Sequence, residues 1–551
     1  MEPIVDTGSG LGPPLGLDMS FRAPRKAAGL ALYSSILALM TVNYAVSYVR
    51  FEARSDTFAK SRHHQPPQIA SLETPIWPPA LIDPSKQGGF RTPFIFPLLL
   101  RYGERLKSSV RARPANLMAS PGSPGSVTYS EVPGEPKRIR VRDRSGKTVI
   151  ARVHGGSGDE THVVLPDGQL GVPEELTYTE EPFYPTSPAD VAAALISGPF
   201  ATFELTTTSH YLVFYKSSET FAKESARLLE DLYSRLLDTF RRKGIPVHES
   251  EFPLAAVIFG TEKEFREFRE VDPQVRAYYE IYTNRIYLYE TSEHDEAAPE
   301  VAALRRPQTV AHEGTHQILQ NIGVQPRLAA WPPWLVEGLA EYCATPVTTR
   351  KGTSWAFLGA VNAQHLATIR DLANPLAGQF PGSEGPVHIG RRPDQPLVDY
   401  LIRKTELTPT DYALSWAVTH HLALKRGDAF AAYLRTMSRV KPLESKTPEE
   451  HRATFSTAFG EDFSKLDREI NRYLGKLKVN YPLPYYTLIF EQRMPQGRTR
   501  RAAIVSQSPS MINQWIDTVS LSEGEPPLWQ VFEFETRTPA LATADRFVCD
   551  P

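Results

Sequence analysis

The first strong pattern along the chain is an uncharged run of 23 residues, 27–49. It is long enough to cross a ~30 Å hydrocarbon core as a helix. Arg22, Arg25 and Lys26 precede it, Arg50 and Arg54 flank its other end, and Tyr44 and Tyr48 stand near that end as interfacial aromatics do. A cleavable signal peptide has a shorter apolar region and a small-x-small site. The pattern therefore predicts an uncleaved transmembrane signal-anchor, with its positive flank in the cytoplasm and the bulk of the chain outside it. Residues 1–26 are Gly/Pro-rich and predict a disordered segment. Over 50–125 prolines recur without a sustained period, which predicts a Pro-rich linker.

Short alternating runs at 138–141, 148–153 and 162–165 are separated by turn residues at 145–146 and 155–158. They predict a small SH3-like β-barrel module over 126–180. The stretch 203–215 is β-branched and aromatic and predicts a strand or hairpin. Over 217–243, Phe221, Leu228, Leu229, Leu232, Leu236 and Phe240 keep a helical spacing, with Ser218 as cap and Gly244 and Pro246 as stop. The run 254–259 reads as a buried strand and 262–269 as a short helix. Residues 284–289 form a second strand with Ile286 and Leu288 on one face and Tyr287 and Tyr289 on the other. From Pro307 to 477 the period is helical. The expected fold is α+β: an α/β part over 188–300, a helical part over 301–478, and a tail, 479–551, with no clear pattern.

Composition narrows the function classes. At ~100–200 residues per domain, 551 residues make several modules. Lys+Arg is 61 and Asp+Glu is 63, a net charge of −2. That balance argues against nucleic acid as a partner. The 48 prolines exceed the usual ~5%, and the excess belongs to linkers. Two cysteines, Cys343 and Cys549, exclude a disulfide scaffold and a cysteine-ligated zinc module. They leave His and Glu as the metal ligands. A Cys343–Cys549 pair is compatible with an extracytoplasmic location and rests on count alone.

The chemistry centres on His312-Glu313-Gly314-Thr315-His316, an H-E-x-x-H motif. Pro307 can stand at the first turn of its helix and Gly323 can end it. Four apart on a helix, His312 and His316 point the same way, and both rings can reach one ion at ~2.0–2.1 Å. Glu313, on a neighbouring face, can hold a proton from a metal-activated water. A catalytic zinc needs a third protein ligand and an open fourth position. Beyond the twenty residues that follow His316, Glu337 and Glu341 share a face of a second helix that Pro332 and Pro333 can start. Glu337 can be the third ligand; the alternative is a solvated helix carboxylate. Glu341 can bind the outer nitrogen of a ligand His, or be a surface charge. Trp331 and Trp334 suit packing, and Cys343 suits a small buried residue.

H-E-x-x-H followed by W-L-V-E-G-L-A-E-Y over 334–342 resembles the gluzincin zinc metallopeptidases, of the thermolysin-like and peptidase-MA-like type. The likeness covers about 190–478. It extends to an uncharacterised gluzincin-like family of bacterial envelope proteins, in which an HYLVFY-type strand, a long helix and a TNRI-type strand precede the motif. The resemblance implies that His312, His316 and Glu337 bind Zn²⁺ and that Glu313 is the general base. It also implies an oxyanion donor on a later helix. Tyr412 is the candidate, with core packing as its alternative and His420 and His421 as rivals on the same helix.

The chain lacks the G-x-M-E-N sequence of the aminopeptidase branch, so an exopeptidase is disfavoured. Residues 284–289, as an edge strand, can pair with an extended peptide. The expectation is a single-pass zinc metalloendopeptidase of the bacterial periplasm or cell envelope, acting on protein or peptide and held in the bilayer by 27–49. A catalytically inactive envelope scaffold and a zinc amidohydrolase on a non-peptide substrate are the alternatives.

Overall fold

The computed structural model describes residues 136–549, apart from 143–146, 158–159, 174–175, 350–351, 374–393, 480, 494–498 and 521–525. The expected anchor at 27–49, the N-terminal segment and the linker lie outside the described residues. Among the described residues no helix is long and apolar enough to cross a membrane.

The architecture is mixed α+β, with small sheets and many helices. Five strands open it: β1 (Arg138–Arg142), β2 (Thr148–Ser157), β3 (Glu160–Val164), β4 (Leu170–Gly171) and β5 (Thr177–Tyr178). They form an antiparallel sheet in the order β4-β3-β2-β1-β5. Backbone and side-chain bonds fasten this module to later parts of the chain. The Leu170 N–H donates to the Tyr282 carbonyl (2.8 Å). Arg327 Nη1 donates to the Gly168 carbonyl (2.7 Å), and the His154 ring meets the Arg327 carbonyl (2.8 Å). Gly155 lies so close to Pro442 that a Cβ there would sit 3.0 Å from the Pro442 Cβ.

Next come α1 (Pro188–Ile196), β6 (Glu204–Thr207), β7 (Tyr211–Tyr215), α2 (Glu219–Arg242), β8 (Leu254–Thr261), α3 (Glu262–Phe268), β9 (Ala277–Glu280) and β10 (Arg285–Thr291). As the spacing predicts, the Ser218 side chain caps α2 by accepting from the Phe221 N–H, and Gly244 (φ 66°) stands just past its end. The sheet order is β6-β7-β8-β10-β9, parallel from β7 to β10 and antiparallel at both margins. Both faces are covered, so its central strands are apolar throughout. Leu254, Ala256, Ile258, Ile286 and Leu288 enter the main core with α2. Val257, Phe259, Tyr287 and Tyr289 enter a second, aromatic core with Phe200 and Phe265. One expectation is corrected here. The strand at 284–289 is interior, and β9 takes the edge. The turn at Asn284 (φ 58°) folds Ala277–Glu280 back against it.

The helical part comprises α4 (Glu293–Ala297), α5 (Pro299–Asn321), α6 (Pro333–Ala344), the hairpin β11 (Val347–Thr349) and β12 (Gly352–Ser354), α7 (Ala363–Leu372), α8 (Leu397–Ile402), α9 (Pro409–Lys425), α10 (Gly427–Met437), α11 (Pro448–Phe459) and α12 (Phe463–Leu474). A second correction concerns α5. It starts at Pro299, and Pro307 lies inside it. Proline removes one i→i−4 bond there, upstream of the motif turns.

The tail is folded. Strands β13 (Tyr485–Arg493), β14 (Thr499–Ser506) and β15 (Leu528–Phe534) form an antiparallel sheet in the order β14-β13-β15, accompanied by α13 (Pro509–Ser520) and α14 (Arg537–Cys549). Two carboxylates from the helical part cap its helices. Glu300 accepts from the Ser508 hydroxyl (2.7 Å) and the Ser510 N–H (3.1 Å), and Asp371 accepts from the Thr538 N–H (2.8 Å). The cysteines do not pair: Cys343 is buried on α6 and Cys549 is exposed at the end of α14.

Candidate metal centre

Helix α5 runs beneath the sheet, and its motif segment is buried on every side. Two features allow this. Gly314 faces α2, where a Cβ would stand 2.5 Å from Leu229 Cδ2. Farther on, Gln317 Nε2 donates to the Asn284 carbonyl (2.7 Å) and the Ala255 carbonyl (3.1 Å). The Asn321 side chain exchanges hydrogen bonds with that of Asn284 (2.9 and 2.8 Å), which also accepts from the Tyr279 hydroxyl (2.8 Å). These polar ties fix the rotation of α5 about its axis, and so the direction of its histidines.

His312 and His316 turn their Nε2 atoms toward each other, 3.0 Å apart. Glu337 Oε2, from α6, lies 3.2 Å from the first and 3.5 Å from the second. All three residues are buried, at 3%, 1% and 2% exposure. Tetrahedral coordination at ~2.0–2.1 Å puts ligand atoms about 3.3 Å apart, so the three observed spacings fit one small divalent cation. Glu337 Oε2 has no hydrogen-bond donor, which suits an oxygen aimed at a cation. Among the described residues this is the one such group of His, Cys, Asp and Glu. The pairing of His312 with Glu341 and His316 with Glu337 makes α6 antiparallel to α5, the return that the twenty-residue spacing allows.

Behind the triad, Glu341 Oε1 lies 3.3 Å from His312 Nδ1, and Glu341 Oε2 lies 2.9 Å from His365 Nε2 on α7. Sequence reasoning misses His365, which no local spacing ties to the motif. Burial pushes the Glu337 carboxyl up, but His316 and His312 outweigh it and hold it below the usual range. Burial pushes Glu341 the same way, and His365 and His312 bring it well below. Glu313 differs. Its burial prevails over the pull of His312 and His316, so its pKa is raised. Its Oε2 has no partner.

Of the three residues named on α9, Tyr412 is the one on which the charges of Glu337, Glu341 and Glu313 act. Its hydroxyl is fully buried and has no hydrogen-bond partner. Burial, with the charges of Glu337, Glu341 and Glu313, raises its pKa well above the usual value. His420 lies two turns on, ~12 Å along the helix. Its Nε2 meets the Gly359 carbonyl (3.1 Å) and its Nδ1 the Tyr473 hydroxyl (2.9 Å), so both nitrogens are engaged elsewhere. His421 packs its ring on Tyr473. Trp334 stacks on Tyr433 and Trp331 donates to the Met437 carbonyl (2.9 Å), as packing residues.

Residues 307–444 match the family model described as Protein of unknown function (DUF1570). The matched segment holds both histidines of the motif, Glu313, Glu337, Glu341, His365 and Tyr412. Comparison with curated proteins finds no match.

Within the matched segment, His420 carries a stability prediction. Burial lowers its pKa from 6.5 to about 4. The folded chain thus keeps it neutral while the unfolded chain protonates it. Its contribution is complete above pH 6.5 and is lost as pH falls from 6.5 to 4, by about 3 kcal/mol. Unfolding in urea at pH 7 and 4.5 should show a fall in midpoint that shrinks in His420→Phe. An undiminished fall would assign it to other groups.

Proposed function

We propose that this chain is a zinc-dependent metalloendopeptidase with a gluzincin-like catalytic part, held at the bacterial cell envelope by an anchor over 27–49. The observation that carries the proposal is the convergence of His312 Nε2, His316 Nε2 and Glu337 Oε2 at 3.0–3.5 Å in a buried site. A bound Zn²⁺ supplies Lewis acidity, lowering the pKa of a coordinated water toward ~7 and polarising a carbonyl. The chain's own groups do the rest. Glu313, with a raised pKa and an unpartnered oxygen, takes the proton of the attacking water and passes it to the leaving nitrogen. The Tyr412 hydroxyl, neutral and unpartnered, donates to the oxyanion as it develops. Glu341 keeps the His312 ring turned so that Nε2 faces the metal.

An extended substrate has a strand to pair with. It is β9, the edge of the sheet, rather than the interior strand beside it. Tyr279 on β9 is the backbone neighbour that pulls the Glu313 carboxyl downward, so a peptide lying along β9 runs past the general base.

Metal analysis of the purified chain tests the reading. About one zinc per chain is expected, falling to near zero in His312→Ala. A folded wild-type chain that takes up no zinc rejects the proposal.

A further inference from the structure

We infer that His365 is a positioning residue of the metal centre: it fixes the Glu341 carboxylate and, through it, the ring of His312. The inference rests on the zinc reading above and adds to it a residue from outside the two-part motif. His312 turns Nε2 toward Glu337 and His316, so its Nδ1 faces the other way, 3.3 Å from Glu341 Oε1. A carboxylate joined to a neighbour through one oxygen only is free to turn, because its terminal torsion is broad and two-fold. Here the second oxygen also meets an imidazole, at ion-pair distance rather than in an aligned hydrogen bond. His365 Nε2 lies 2.9 Å from Glu341 Oε2. One carboxylate therefore spans two imidazoles, and its plane is set from both ends.

His365 is itself held. Its backbone N–H donates to Asn362 Oδ1 (3.0 Å), the cap of α7. Its ring packs on Trp416 of α9, with centroids 5.8 Å apart and planes tilted by 37°. It is 1% exposed, and Glu341 is 6% exposed. A buried carboxylate without polar neighbours is unfavourable, so removing the His365 imidazole nitrogen from beside it should let Glu341 turn or recede, and His312 with it. Groups that orient a metal-binding histidine are worth about 10–100-fold in metal affinity.

The test is zinc affinity of the full-length chain in detergent, measured by competition with a chromophoric chelator. His365→Phe keeps a ring against Trp416 and removes the polar contact; His365→Gln keeps a polar N–H group there. The Phe variant should bind zinc about 10–100-fold more weakly, and the Gln variant should recover most of that loss. Wild-type affinity in the Phe variant, or equal weakening in both, overturns the inference. If His312→Ala loses zinc in the same assay, the metal centre itself stands in that case. A wild-type chain without zinc overturns both. If His365→Phe does not fold, His365→Ala with added imidazole reads the same contact: restored affinity supports the role and no restoration overturns it.

Discussion

Replacing Glu313 by glutamine should leave about one zinc per chain and lower peptide hydrolysis by about 10²–10⁴-fold. The side chain is 1% exposed and stands beside the ligand triad without belonging to it. Its burial raises the carboxyl pKa, against the pull of two imidazoles and the Tyr279 backbone. A carboxylate with a raised pKa is a better proton acceptor, and glutamine of the same shape accepts none. The substitution keeps the shape and the packing, so the metal site should survive it. Zinc content and kcat on a fluorogenic peptide check this together. Unchanged kcat with zinc retained would remove Glu313 from the mechanism.

The second large effect is expected at Gly338, between Glu337 and Glu341 on α6. A Cβ there would lie 2.3 Å from Thr419 Oγ1 and 2.7 Å from the Ser415 carbonyl oxygen of α9. The second contact is backbone, so it cannot be relieved by a rotamer change and the two helices must separate. Gly338→Ala should therefore lose about 1–3 kcal/mol of unfolding free energy. It should also weaken zinc binding, because Glu337 and Glu341 move with α6. Gly475→Ala is the control. Its Cβ would meet only the Asn471 and Arg472 carbonyls, at 3.4 and 3.9 Å, and its backbone is already in a region open to any residue. Denaturant midpoints of the two variants separate the cases, and a wild-type midpoint for Gly338→Ala would mean that α6 and α9 do not touch there.

Local spacing carries what is legible in the sequence. Two histidines four apart, and two glutamates four apart, fix their own faces on α5 and α6. Alternation along 284–289 separates Ile286 and Leu288 from Tyr287 and Tyr289, and the two cores divide them in that way. Pro307 misleads because the local rule puts proline in a first turn. In the folded chain, contacts at the start of α5 carry the helix through it. Arg305 pairs with the buried Asp295, and Glu300 is bound by the tail. Strand β9 escapes the pattern because Ala277–Glu280 is too short to show a period, and its place at the edge comes from the turn at Asn284. His365 is illegible for a related reason. It meets Glu341 through the packing of α7 on α9, and no periodicity encodes a contact between separate helices. The tail looks patternless because Tyr485–Arg493 mixes apolar and polar residues without strict alternation.

The caps that Glu300 and Asp371 lend to the tail bear on how the protein is made. Synthesis runs from the N-terminus, and residues 508–538 leave the ribosome well after every residue of the metal centre. Until they arrive, Glu300 on the motif helix lacks its serine partners, and Asp371, six residues from His365 on α7, lacks the Thr538 N–H. A nascent or prematurely terminated chain would thus carry the full set of ligands on helices whose ends are not yet tied down. For the proposed protease, a settled metal centre would then wait on the emergence of residues 508–538.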